Sequence, residues 1–483
     1  MKNLLLLLLA ILIAPFNAIS QNCNCESNFD WLKNTFENND AGYTYAIETK
    51  GAQAYKNHTY AILNKITEVE DQETCATIMN EWLSFFRSGH IGLEMLNQKD
   101  SRNKTELSKE EIIKKYSTSP KVDIQLTDFE TYLKSKSQLD FEGIWVSDPY
   151  KIGIKKIDDR YVGFIIEADG VYWREGQIKF TIEADNSFVY YMQDHSKQTF
   201  STTELWEANY IQSGFVNFER LHPKKTNSPE IERYSKAMVS NETFFEVLDE
   251  KTAYLRIPSF NSRFKTHIDS VIATNFETIT NTENLIIDIR NNGGGSDRCY
   301  SNLMPILYTN PIRIVGLEFY STPLNNQRMK DLTNLKEANF SDEEIKFFND
   351  AYDKLSNNLE TWVNLDSTDV ELETYDKIYT YPQNIGILIH ENNGSTAEQF
   401  LLAAKQSKKV KLFGHTTAGV LDISNVHAVN SPCNEYQLGY SLSRSKRIPH
   451  MAIDGKGIQP DYYIDDSILK YKWIEFVSEV LKY

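Results

Sequence analysis

The run Ile385-Gly386-Ile387-Leu388-Ile389, followed after two residues by Asn392-Asn393-Gly394-Ser395-Thr396-Ala397-Glu398, reads as a short buried strand feeding a turn of small residues. Beyond the turn, Ala397, Phe400, Leu401 and Ala404 fall at i, i+3, i+4 and i+7, the spacing of a helix with one apolar face. Ser395 therefore stands at or beside a helix N-cap, where backbone N–H groups lack partners and the local field favours negative charge. An acyl-transfer nucleophile needs that setting, although serine is also a common plain cap.

A second stretch of the same design favours the nucleophile. Asn284-Leu285-Ile286-Ile287-Asp288-Ile289 is another buried strand, and it runs through Arg290-Asn291-Asn292 into Gly293-Gly294-Gly295. Glycine admits positive φ and close backbone approach. Such a turn can aim bare N–H groups at one point, as an oxyanion hole requires, each donor contributing about 3 kcal/mol to transition-state stabilisation. A phosphate loop or a plain flexible turn is the alternative. Neither Gly-Lys-Ser/Thr nor G-x-G-x-x-G is present, so nucleotide binding has no support.

Asp288-Ile289-Arg290-Asn291-Asn292-Gly293-Gly294 together with Gly394-Ser395-Thr396-Ala397-Glu398 resembles the signature of the tail-specific (C-terminal-processing) serine proteases and their tricorn-core and retinoid-binding relatives. Gly414-His415-Thr416-Thr417-Ala418-Gly419 resembles that family's G-x-x-T-x-G turn, and Gly455-Lys456-Gly457-Ile458-Gln459-Pro460-Asp461 its G-x-G-I-x-P-D stretch. The resemblance spans about 237–465 and implies an α/β core of the crotonase/ClpP-like β-β-α type. It also implies Ser395 as nucleophile, with N–H groups of Gly293 or Gly294 and of Thr396 as the oxyanion hole. Ser-Lys members carry a lysine directly after the G-x-x-T-x-G turn, where this chain has Val420, which cannot move a proton; a Ser-Lys mechanism would need Lys456 or another lysine to reach the site. The tricorn-like arrangement takes a His base from the N-terminal region and a carboxylate near G-I-x-P-D, which points to His90 and Asp454. Asp454 is one methylene shorter than the tricorn-type Glu, and Gly89 replaces a relaying Ser. The implied activity is peptide-bond hydrolysis through an acyl-enzyme without metal or cofactor. A catalytically inactive binding protein on the same fold, or an esterase or amidase using the same acyl chemistry, is the alternative.

Ahead of this core, Lys2, the apolar run Leu4 to Ile13 and Ala18-Ile19-Ser20 compose a secretory signal peptide over 1–20. Pro15 and Asn17 interrupt the run short of the about 20 apolar residues of a membrane span. The expectation is a secreted or periplasmic protein without stable membrane insertion. Residues 21–122 read as an N-terminal helical domain, since Cys75, Ile78, Met79, Trp82, Leu83 and Phe86 keep helical spacing up to Ser88-Gly89-His90, with Gly89 suited to a left-handed stop. From 123 to 225 the period becomes 2, with aromatic runs broken by Asp-Asp, Asp-Gly and Asp-Asn, the pattern of an antiparallel sheet or small barrel; Phe141-x-Gly143-x-Trp145 resembles a lipocalin opening. A charged helical insert occupies about 326–365 and an amphipathic helix 466–483.

With 483 residues, 41% apolar and 24% charged, the chain has ample material for two or three domains. A net charge of −16 argues against nucleic-acid partners held through phosphates and fits cationic or neutral partners better, while the resemblance implies a peptide or protein substrate. Five cysteines, an odd number, leave at least one outside intrachain pairing, and one disulfide is expected among Cys23, Cys25 and Cys75. None of the five has metal-ligand spacing with histidine.

Overall fold

A computed structural model describes residues 23–67, 69–96, 107–335 and 340–483, so the signal-peptide stretch 1–20 lies outside the described residues. The chain divides into two compact units, one of 1–98, 315–369 and 422–451, the other of 99–314, 370–421 and 452–483. That division cuts across the contiguous 237–465 core expected from sequence, because strand pairing and a disulfide tie 422–451 to the N-terminal helices.

In the first unit the helices Cys25–Asn39, Tyr43–Lys50, Ala52–Ile66 and Gln72–Ser84 form the expected bundle. The side chains of Asn24 and Asp71 cap two of them by accepting from Ser27 N and Thr74 N. Their apolar faces meet at Phe29, Phe36, Trp82 and Phe86, and Phe29 and Phe36 both pack edge-on to Trp82. The other wall of that core is Tyr436, Leu438, Tyr440 and Leu442, from the strand Tyr436–Ser445. This strand pairs antiparallel with Gly92–Met95 in register Leu93↔Leu438, and also with Leu317–Tyr320 and Ile423–Asn430. The helical insert is a hairpin of Pro323–Thr333 and Asp342–Ser356. Two disulfides lie in this unit, Cys25–Cys75 and Cys23–Cys433. The first is one of the pairings open among Cys23, Cys25 and Cys75, the second reaches outside that cluster, and Cys299 is the buried free thiol.

The second unit contains a nine-stranded antiparallel sheet, running from Gly143–Ser147 to Val216–His222 in sequence with Lys197–Phe200 and Glu204–Trp206 at its edges. Among the described residues no pairing joins those two edges, so an antiparallel sheet is present and a closed barrel is not established. Trp145, Ile152, Phe180, Phe188 and Phe218 fill its core. Lys179 is buried beneath Trp173, Tyr150 and Tyr190 with Nζ donating to Tyr191 O, and burial lowers its pKa to about 7 against the opposing pull of Asp169 and Asp194.

The remainder is a six-stranded sheet in the order Phe244–Val247, Thr252–Arg256, Asn284–Asp288, Asn384–Ile389, Val410–Gly414, Tyr462–Tyr463. The first pair is antiparallel and the rest parallel. The strands are apolar on both faces because helices cover both. Leu285, Ile287, Ile385 and Ile387 face the helices Lys265–Ile279 and Thr396–Ala404, while Ile286, Leu388 and Phe413 face Trp473–Val480. The last helix is shorter than the 466–483 expected. Among the described residues no helix is long and apolar enough to cross a membrane.

Candidate active site

Parallel pairing sets Asn284 opposite Asn384 and Asp288 opposite Leu388, so the two strands end side by side and their turns meet. Both turns read Asn-Asn-Gly, at 291–293 and 392–394. Asn393 is fully buried and staples them: its Nδ2 donates to Ile289 O (2.5 Å) and Asn292 O (3.0 Å), while its Oδ1 accepts from His390 N (2.7 Å). Asn292, also fully buried, bonds through Nδ2 to Ile257 O and through Oδ1 to Phe260 N and Gly294 N. Sequence reading passed over these asparagines, although the repeated Asn-Asn-Gly is the signal of side chains closing turns on their own backbone.

Ser395 stands between strand and helix at φ 55°, ψ −126°, a left-handed setting that a non-glycine residue occupies at some expense, and its side chain caps nothing. Gly294, at φ 102°, lies directly against it. A Cβ on Gly294 would sit 2.7 Å from Gly394 O, 2.8 Å from Ser395 Cβ and 2.9 Å from Thr396 N. The Gly294 N–H is engaged within its own turn, donating to Asn292 Oδ1 at 3.0 Å, so of the expected oxyanion donors Gly294 supplies the close approach and not a spare N–H. Among the described residues the N–H groups of Gly293 and Thr396 donate to no protein acceptor.

Glu398, fully buried one turn into the helix, anchors the G-x-x-T-x-G turn. Its carboxylate accepts from Thr417 Oγ1 (2.5 Å), Gly419 N (2.7 Å) and Val420 N (2.9 Å). Burial raises its pKa, the three hydrogen bonds pull it down, and the Asp454 charge adds to the rise. Val420 packs its Cγ2 against Gly394, which makes that side of the turn apolar. Asp454 Oδ1 accepts from Leu421 N at 2.7 Å, and Lys456 Nζ donates to Ala452 O at 3.2 Å.

Behind the glycine turn Asp288 is fully buried and takes Arg290 through both carboxylate oxygens (3.0 and 2.6 Å), Tyr254 OH (2.8 Å) and Arg256 Nη1 (3.3 Å). Burial opposes ionisation of Asp288, but the guanidinium groups of Arg290 and Arg256 outweigh it and hold the carboxyl well below the usual range.

His90 belongs to the first unit, and the structure accounts for it there. It is His90, at φ 55°, and not Gly89, that takes the left-handed conformation after the last bundle helix, which stops at Ser84. Arg87 holds the loop through Gly89 O (3.1 Å) and His90 O (3.0 Å) while gripping buried Asp40 with both terminal nitrogens (2.7 and 2.6 Å). His90 Nδ1 meets Ile423 O at 2.8 Å. A carbonyl oxygen only accepts, so Nδ1 carries the proton and the lone pair of the neutral ring lies on Nε2.

Residues 251–464 match the model of Peptidase family S41. The core belongs to that family. The S41 match classes this core with the serine-type peptidases and agrees with the resemblance carried by the two turns. No curated protein matches at a significant level. Among solved structures, mature CPAF complexed with lactacystin is 14% identical, with 95% of this chain and 97% of that chain covered and a TM-score of 0.53. Mature CPAF is 13% identical, with 95% and 96% covered and a TM-score of 0.50. The tricorn protease is 10% identical, covering 95% of this chain and 36% of that one, with a TM-score of 0.39. The two CPAF structures support a shared fold for the S41 core and its flanking regions.

Proposed function

We propose that Ser395 is the nucleophile of an exported serine endopeptidase or carboxyl-end-processing peptidase, with His90 as general base and Asp454 as the carboxylate that stabilises its imidazolium. The observation that carries this reading is the Ser395 backbone at φ 55°, ψ −126°. A non-glycine residue in such a region costs about 1–3 kcal/mol, and a serine that caps nothing returns none of it to folding. The strain lifts Oγ out of the capping geometry at the start of a helix whose first N–H, on Thr396, is unspent.

In the proposed reaction Ser395 Oγ attacks the acyl carbon as His90 Nε2 takes its proton. The oxyanion is received by the N–H groups of Thr396 and Gly293, the amine leaves with the proton from His90, and water hydrolyses the acyl-enzyme. The hydrogen bond to Ile423 O favours the tautomer a base requires. The finer fold class, a crotonase/ClpP-like core with a small barrel, belongs to the same proposal. Export is supported by the leader pattern of 1–20 and by two disulfides of the kind oxidising compartments maintain.

The test is fluorophosphonate labelling and peptide cleavage by wild type, Ser395→Ala and His90→Ala. Loss of both activities in both variants is expected. A His90→Ala protein that still labels and cleaves moves the base elsewhere, with Lys456 next to examine. A folded wild type that neither labels nor cleaves refutes the peptidase in favour of a binding protein on this fold.

A further inference from the structure

His390 and Glu391, between the Asn384–Ile389 strand and the Ser395 turn, stand beside His415 at the end of the neighbouring strand Val410–Gly414. A single carboxylate oxygen, Glu391 Oε2, lies 3.0 Å from His390 Nε2 and 3.1 Å from His415 Nδ1. Ligand atoms of all three residues fall within 4.8 Å of one another. Tetrahedral zinc bonds of about 2.0–2.1 Å to nitrogen and oxygen put neighbouring ligands about 3.3 Å apart, close to both measured spacings.

The hydrogen-bond chemistry of His415 is the telling feature. Its Nε2 faces Ile464 O at 2.9 Å and its Nδ1 faces the Glu391 carboxylate, so both ring nitrogens confront atoms that only accept. A neutral imidazole carries one N–H and satisfies one of them. With the N–H on Ile464 O, the Nδ1 lone pair points at carboxylate oxygen, a repulsive arrangement that a cation between them converts to ligation. An imidazole whose far nitrogen donates to a backbone carbonyl while the near one carries the lone pair is the usual outer-shell pattern of a metal-binding histidine. Tyr463 stacks on the His415 ring and Trp473 meets it edge-on, which fixes its plane.

We propose that His390, Glu391 and His415 form a three-ligand site for a divalent transition ion, zinc being the best match to two imidazoles and one carboxylate. The site opens on a cavity of about 530 Å³ lined also by Arg290, Lys470 and Trp473. The two cations there are already paired, Arg290 with Asp288 and Lys470 with Glu204, and the cavity leaves the fourth coordination position to water or a small carboxylate ligand. Because His390 N and O both bond Asn393, the asparagine that staples the two turns, ligation would brace the segment leading to Ser395. This inference does not depend on Ser395 being a nucleophile.

The test uses the full chain purified without a histidine tag, stripped with chelator and titrated with ZnCl₂ by calorimetry, and with Co²⁺ by visible absorption. The expected result is one site per chain at micromolar affinity or tighter, with a tetrahedral Co²⁺ spectrum that Zn²⁺ abolishes. Affinity should fall at least tenfold in Glu391→Gln and in His415→Ala, and stay within twofold in His267→Ala, whose ring bonds Thr243 O elsewhere in the fold. Glu391 is more than half exposed, so Glu391→Gln remains informative if His415→Ala misfolds. No binding by wild type would leave the cluster a hydrogen-bonded His415–Glu391 pair and overturn the proposal. Binding that survives in folded Glu391→Gln and His415→Ala would overturn it equally.

Discussion

Replacing Gly294 by alanine puts a methyl group where the turns touch. Its carbon would lie 2.7–2.9 Å from Gly394 O, Ser395 Cβ and Thr396 N, where ordinary contact begins at 3.4 Å, and two of the three are backbone atoms that cannot swing aside. Overpacking of this kind costs about 1–3 kcal/mol. Holding alanine at φ 102° adds about 1–2 kcal/mol. The expected loss of stability is therefore about 2–5 kcal/mol, a large part of the roughly 5–15 kcal/mol that domains possess. Relief comes by pushing Thr396 N away, and on the proposed role of that N–H as an oxyanion donor its displacement lowers kcat about 10²–10³-fold. Gly293→Ala is the internal contrast, because its Cβ would meet only Asn392 O at 4.0 Å; its stability should stay within about 1 kcal/mol of wild type. Denaturant midpoints and fluorophosphonate labelling rates on both variants measure the two effects. Gly294→Ala with an unchanged midpoint and labelling rate would refute the account of how the turns meet.

Asp288→Asn should destabilise by about 3–5 kcal/mol by leaving Arg290 and Arg256 buried without their carboxylate. Since the folded pKa of Asp288 is depressed, its contribution is present above the unfolded value of about 3.9 and fades as pH falls below it; acid denaturation curves of the variant should be shallower there. Lys179 gives the opposite limb. Its pKa of about 7 lies below the unfolded value of about 10.4, so the unfolded chain holds the extra proton between them and stability rises with pH across that window. Thermal denaturation from pH 7 to 9 should show this rise in wild type and lose most of it in Lys179→Met. Arg87→Leu strands the buried Asp40 carboxylate and should cost about 3–5 kcal/mol, with part recovered when Asp40→Asn is added; equilibrium unfolding of the single and double variants measures it.

The α/β core was readable from the chain because Leu285 to Ile289 and Ile385 to Ile389 are short apolar runs, each ending in glycine and asparagine, and strand ends bring such turns together. The same local logic placed the helix behind Ser395 and the bundle around Trp82. What stayed hidden depends on partners far away in sequence. Nothing near Cys23 indicates Cys433, and nothing in Tyr436–Ser445 indicates that it lines the core of the N-terminal helices. The use of Gly294 as a contact surface was equally invisible, since only the neighbouring Asn292 side chain decides where its N–H goes. At the end of the bundle, glycine's tolerance of positive φ pointed to Gly89, whereas the Arg87 grip on both carbonyls accompanies the turn at His90.

The pairing of Gly92–Met95 with Tyr436–Ser445 has a consequence in biosynthesis. The partner strand, starting at Tyr436, leaves the ribosome about 350 residues after Ser84, where the last of the helices it covers ends, a delay of roughly 18–70 s at about 5–20 residues per second. For that time Phe36, Trp82 and Phe86 lack the wall that Tyr440 and Leu442 supply. These helices are thus sealed well after they are made, and their apolar faces stay open to non-native contacts in the meantime.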